Sequence, residues 1–180
     1  VLSWANHPKA LPLAVPAAVL RMAALRGMEV TVLRPEGYAL PESLLAEARR
    51  LGSGTGGSVR ETDDRPAALE GAAIVYAKSW ASAANYGDAG AESALRAGLA
   101  SWCVGESWFE NAPEARFMHC LPVRRNVVVA DAVLDSSRSV VVRQAHNRLW
   151  AQMAVLHRML AGVSAGLRQE GATIPMKEKR

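Results

Sequence analysis

Short β-branched and apolar runs alternate with stretches of helical spacing along most of this chain. Val1–Trp4, Met28–Leu33, Ala73–Ala77, Arg116–Cys120 and Val140–Val142 read as strands. Leu13–Arg26 carries apolar residues at helical spacing (Val15, Val19, Met22, Leu25), and Gly27 suits its C-terminal stop. Pro41–Leu51 reads as a second helix with Pro41 at its first position, and Pro66–Glu70 as a short third. Gln144–Leu160 is the longest predicted helix, with Leu149, Met153, Leu156 and Leu160 on one stripe. Strands that alternate with helices predict an α/β fold. It is a three-layer, Rossmann-like domain whose mostly parallel sheet is covered on both faces.

Composition agrees with one packed domain. Of 180 residues, half are hydrophobic and 21% are charged, which excludes extended disorder over most of the length. The net charge of +4 is small, and Arg168, Lys177, Lys179 and Arg180 contribute to it from the end of the chain. No clustered basic face with aromatic or helical recognition motifs points to nucleic acid. The longest apolar stretches, such as Leu11–Leu20, are short and carry prolines, so no membrane helix is expected. Cys103 and Cys120 form no CxxC pair, so neither a disulfide scaffold nor a metal site is expected. These features describe a reduced, cytoplasmic domain. The opening Val1-Leu2-Ser3-Trp4 has no Met and reads as the inside of a buried strand, as in a part of a longer protein. Residues after about Arg168 read as a tail.

Ligands of parallel sheets bind at the carboxyl ends of the strands. Three loops with polar residues follow predicted strands: the loop at His7, the long Lys78–Gly90 segment and the loop at Cys120. Gly52–Ser58 is glycine- and serine-rich, but no GK[ST] follows it and it reads as a plain surface loop. Phe117–Asn126 carries the densest chemistry: His119, Cys120, Leu121-Pro122, then Arg124, Arg125 and Asn126. A Cys–His nucleophilic pair is disfavoured, because neighbours on a strand point to opposite faces.

His119-Cys120-Leu121-Pro122, Arg125-Asn126, Asp131, Val133 and Gln144-Ala145-His146-Asn147-Arg148 together resemble the carboxy-terminal half of the aspartate/ornithine carbamoyltransferase family. The resemblance runs from Val1 to about Leu160. It implies an amino-acid-substrate domain over residues 1–165, a tail over 166–180, and a carbamoyl-phosphate domain outside this chain. The implied reaction moves a carbamoyl group from carbamoyl phosphate to an amine without a cofactor. By the same resemblance, Arg148 reaches carbamoyl phosphate and His119 lies near the carbonyl oxygen. The carbonyl groups around Cys120 and Leu121 position the amine.

The amine is implied by a second comparison. Ordinary ornithine enzymes of the family carry an Asp and a Ser-Met-Gly loop for the free α-amino acid. Tyr76-Ala77-Lys78-Ser79-Trp80 replaces the Asp here, and a lysine suits a carboxylate rather than an ammonium. That segment and Leu2–Lys9 resemble the acylornithine branch, with His7, Lys78, Trp80 and Arg124 as substrate-binding residues. The branch implies a knot, in which the Lys78–Gly90 segment threads the His7–Val15 loop, and a homotrimer in arginine biosynthesis. Acetyl-type members carry a lysine where Val128 stands, which favours N-succinylornithine. N-acetylornithine or ornithine is the alternative substrate, and a non-catalytic ligand-binding or assembly module is the alternative of another class.

Overall fold

The computed structural model describes the backbone of residues 1–170 and the side chains of residues 1–161. Val1–Val142 form one compact unit and the residues from Arg143 a second. The first unit holds a five-stranded, all-parallel sheet in the order β3-β2-β1-β4-β5. Its strands are β1 (Leu2–Ser3), β2 (Glu29–Leu33), β3 (Ser58–Thr62), β4 (Ile74–Ala77) and β5 (Arg116–Met118). The helices are α1 (Ala14–Leu25), α2 (Glu42–Ser53), α3 (Arg65–Leu69), α4 (Ala89–Ala97), α5 (Asp131–Leu134) and α6 (Val141–Glu170).

The order reverses at β1. The chain moves outward through β2 and β3, then returns to pair β4 on the other side of β1. Right-handed crossovers put connections of opposite direction on opposite faces. The α1 and α2 connections therefore cover one face. The α3 connection and the segment between β4 and β5 cover the other. The crevice between the ends of β1 and β4 is the switch point at which such sheets bind ligands. Leu2 is in register with both Val32 and Tyr76, so the loops after β1 and β4 leave the sheet side by side.

The structure corrects several sequence expectations. Val140–Val142 is not a strand. Residues 138–140 run beside β5, with Phe117 N–H donating to Arg138 O and Val140 N–H to Phe117 O, and the chain turns into α6 at Val141. The fifth strand is β3, whose alternation buries only Val59. As an edge strand it needs no apolar run. Gly52 and Ser53 close α2 and Ser58 opens β3, so the loop between them is only Gly54–Gly57.

Helix α1 buries Pro16, Ala17, Leu20 and Ala24, while Met22 and Leu25 are exposed. Small residues on its inner face let it approach its neighbours closely. In the second unit, Leu149, Met153, Leu156 and Leu160 of α6 are exposed. Residues 166–170 continue α6 and residues 171–180 lie outside the described residues.

Candidate functional site at the ends of β1, β4 and β5

Four aromatic side chains brace the switch point. Trp4 follows β1 and lies 4.5 Å, centroid to centroid, from Tyr38 and 6.0 Å from Trp102. Its indole N–H donates to the Trp80 carbonyl at 3.0 Å, and the Trp80 indole donates to the Tyr38 carbonyl at 2.8 Å. Trp80 is therefore part of the core, with no exposed surface and its N–H already used. It can shape a pocket but has no donor left for a ligand.

His7, Lys78 and His119 come from three different loops, and their charges act on one another. His119 is 3% exposed. Burial first, then the charges of Lys78 and His7, lower its pKa to about 4. Its Nδ1 accepts the backbone N–H of Leu121 at 3.0 Å. The imidazole is then neutral at pH 7 and carries its proton on Nε2, which is a hydrogen-bond donor. Leu121 holds a left-handed backbone (φ 48°), and the Leu121–Pro122 peptide is cis. Non-glycine residues in that region occur mostly where surrounding structure imposes them.

The pKa of His7 is also lowered, by burial, despite a backbone hydrogen bond at Lys9 that acts the other way. The charges of Arg124, Lys78 and Arg96 add to the lowering. Every charge that shifts these two histidines is thus positive. A region with such a field draws anions. Lys78 is half-buried and Arg124 exposed, and neither forms an ion pair among the described residues.

The neighbouring arginine differs. Arg125 binds Asp131 at 2.6 Å and Asp135 at 2.7 Å, tying the loop to α5. Asn126 supports the same turn, accepting Asp131 N–H at 3.0 Å and donating to its carboxylate at 2.7 Å. Of the two arginines, only Arg124 is available to a ligand. Cys120 is a half-buried free cysteine. Val128 is buried, which fits an apolar side chain. Arg148 lies on α6, in the second unit, and is exposed.

One pair of functional interest is absent from the sequence reading. Helix α4 turns Glu92 and Arg96 inward, and both are almost fully buried. Asp88 caps the helix by accepting Ala91 N–H at 2.9 Å. That cap and the i,i+4 acid–base spacing were the available signals.

Residues 15–159 match the Asp/Orn binding domain of aspartate/ornithine carbamoyltransferases. The chain is 38% identical over 157 residues to the N-acetylornithine carbamoyltransferase of Xylella fastidiosa strain Temecula1, covering 87% of this chain and 47% of that protein. It is 36% identical over 162 residues to the N-succinylornithine carbamoyltransferase of Bacteroides fragilis strain 638R, covering 89% and 46%. Acetylornithine transcarbamylase complexed with acetylcitrulline superposes with a TM-score of 0.83 at 37% identity, over 86% of this chain and 47% of that one. The chain thus spans about half the length of the relatives it matches. It belongs to the aspartate/ornithine carbamoyltransferase family, in which it corresponds to the Asp/Orn binding domain.

Proposed function

We propose that this chain is the amino-acid half of an acylornithine carbamoyltransferase in arginine biosynthesis. It would bind N-succinyl-L-ornithine for attack on carbamoyl phosphate held by the rest of the protein. The observation that carries this reading is the pair of cations Lys78 and Arg124 at the switch point, whose charges act on His7, with Lys78 acting also on neutral His119. Carboxylates suit those cations, whereas a free α-ammonium beside Lys78 is repelled. An acylated α-nitrogen carries no charge and removes that repulsion. The relatives and the solved acetylornithine enzyme support the same substrate class.

In the proposed reaction the neutral δ-amine attacks the carbamoyl carbon. The new C–N bond forms, the C–O bond to phosphate breaks, and the proton lost by the amine leaves with the phosphate. His119 Nε2–H would donate to the carbonyl oxygen as negative charge grows there. Backbone carbonyls at Cys120 and Leu121 would hold the amine and carbamoyl nitrogens, with no covalent role for the thiol. Arg148 would bind carbamoyl phosphate.

The succinyl choice rests on Arg124 and buried Val128. A second carboxylate calls for a further cation, and Arg124 is exposed beside the field acting on His7. N-acetylornithine is the alternative, supported by the several N-acetylornithine enzymes among the relatives. The test compares kcat/KM for the two substrates in the full-length protein. Succinylornithine should win by about tenfold, roughly 1.4 kcal/mol. Arg124→Ala should erase the preference, and a wild type that prefers acetylornithine overturns the succinyl choice.

The family resemblance extends the proposal to residues 1–165 as the substrate domain and to a cytoplasmic homotrimer. It also extends it to threading of the Lys78–Gly90 segment through the His7–Val15 loop. Ala81 N–H donates to Leu11 O at 2.8 Å, a contact between those two segments that fits such threading.

A further inference from the structure

Helix α4 has an unusual inner face. Its buried residues are an acid and a base, Glu92 and Arg96, at 4% and 5% exposure. Burying two charges is costly, and an apolar pair of similar volume often gives equal or greater stability. What an apolar pair cannot do is hold several acceptors at fixed positions.

All three guanidinium nitrogens of Arg96 have partners. Nε donates to Glu92 Oε1 at 2.7 Å, and Nη2 forms an ion pair with the same oxygen at 2.6 Å. Nη1 donates to the His7 carbonyl at 3.0 Å and to Ser79 Oγ at 2.9 Å. Nη2 also donates to the Trp80 carbonyl at 2.8 Å. The guanidinium sits 5.3 Å from the Trp4 ring and 5.2 Å from the Tyr38 ring, within cation–π range. Glu92 uses its other oxygen to accept Ser82 N–H at 3.1 Å, and its Oε1 also receives Tyr38 O–H at 3.3 Å.

These hydrogen-bond partners belong to three loops, with Tyr38 in the loop after β2. His7 lies in the loop after β1; Ser79, Trp80 and Ser82 lie in the loop after β4. Arg96 is buried and all three of its guanidinium nitrogens are engaged, so it acts through these partners. We propose that the buried Glu92–Arg96 pair is the positioning device of the site, locking the loop after β1 to the loop after β4 and so setting the spacing between His7 and Lys78. The substrate consequence rests on the acylornithine reading, whereas the locking of the two loops does not.

A planar fork suits this task better than a point charge. It reaches the His7 carbonyl, Ser79 and Trp80 while remaining paired with Glu92. Arg96→Lys keeps the charge opposite Glu92 but gathers all donors on one nitrogen. The double variant Glu92→Leu/Arg96→Met removes both charges together and leaves neither uncompensated. Between them the two variants separate positioning from stability.

The test uses the full-length protein and measures hydrogen exchange by mass spectrometry, melting temperature, and KM and kcat with N-succinylornithine and N-acetylornithine. Both variants should exchange about tenfold faster or more in residues 6–12 and 79–87, while β2 and β4 exchange at the wild-type rate. The KM for the better acylornithine should rise about tenfold or more, with kcat and the KM for carbamoyl phosphate changing by less than about threefold. If the double variant fails to fold, Arg96→Lys alone carries the comparison. Wild-type exchange in both loops of a folded variant overturns the assignment. Faster loop exchange with unchanged acylornithine KM upholds the locking and contradicts the acylornithine reading of the site.

Discussion

The backbone N–H of Leu121 donates to Nδ1 of His119 at 3.0 Å, which leaves the imidazole proton on Nε2. The left-handed conformation of Leu121 belongs to this turn, which brings the amide back towards the ring two residues earlier. The bond and the buried, cationic surroundings act together, and both favour the neutral imidazole.

His119 should therefore titrate near pH 4. Nitrogen NMR at pH 7 should show Nδ1 unprotonated and Nε2 protonated. The same shift makes a stability prediction. An unfolded histidine takes up a proton as pH falls through 6.5, while folded His119 waits until about 4. Its contribution is whole above pH 6.5 and is lost between 6.5 and 4, by about 3 kcal/mol at most. Urea denaturation across that range should show the loss, and His119→Gln should flatten it. An equal slope in the variant contradicts the assignment.

Lys78→Ala should raise the KM for acylornithine by about 10- to 100-fold, the scale of one charge-assisted hydrogen bond. Steady-state kinetics checks this, with the KM for carbamoyl phosphate as the internal control. The variant should also raise the pKa of His119, because one of the charges depressing it has gone. An unmoved His119 titration would place Lys78 away from the site.

Arg148 is exposed on α6. Arg148→Ala should lower kcat by about two to three powers of ten, as loss of one donor to developing charge does. Its melting temperature should stay close to wild type, since exposed substitutions of this kind cost little. Unchanged turnover would remove Arg148 from the mechanism.

Much of the frame was legible in the sequence because β1, β2 and β4 are buried on both faces and show as short apolar runs, while β5, at the other edge, fully buries only Phe117. Strand β3 was hidden because an edge strand alternates polar residues and buries only Val59. The stretch at Val140 misled in the opposite sense, since β-branched residues serve equally beside β5 and at the start of α6. Helix α4 escaped because its inner face is an ion pair, not an apolar stripe. The loops at His7, Lys78 and His119 were legible as strand-end loops. Arg96 was not, because arginine is normally exposed and its partners are distant in sequence. Trp80 lies in the loop after β4, and its side chain turns into the core.

Gly27 tests the fold independently of the chemistry. Its φ is +68°, and an added Cβ would lie 2.5 Å from the Thr55 carbonyl oxygen. Both the left-handed backbone and the backbone clash oppose any side chain there. Gly27→Ala should cost about 2–4 kcal/mol, read from denaturant midpoints, with kcat of the folded fraction unchanged. A loss below about 0.5 kcal/mol contradicts the described approach of the α1 turn to the α2 turn.

The most direct test of the account is the product made by the full-length protein. Carbamoyl phosphate is supplied with N-succinylornithine, N-acetylornithine or ornithine in separate reactions, and product and released phosphate are measured together. The account predicts an acylcitrulline and an equal amount of phosphate, with free ornithine at least about tenfold poorer, because the proposed role of Lys78 sets a cation beside its α-ammonium. Citrulline formed from free ornithine as readily as from the acylated substrates, or no carbamoylated product from any of them, would contradict it.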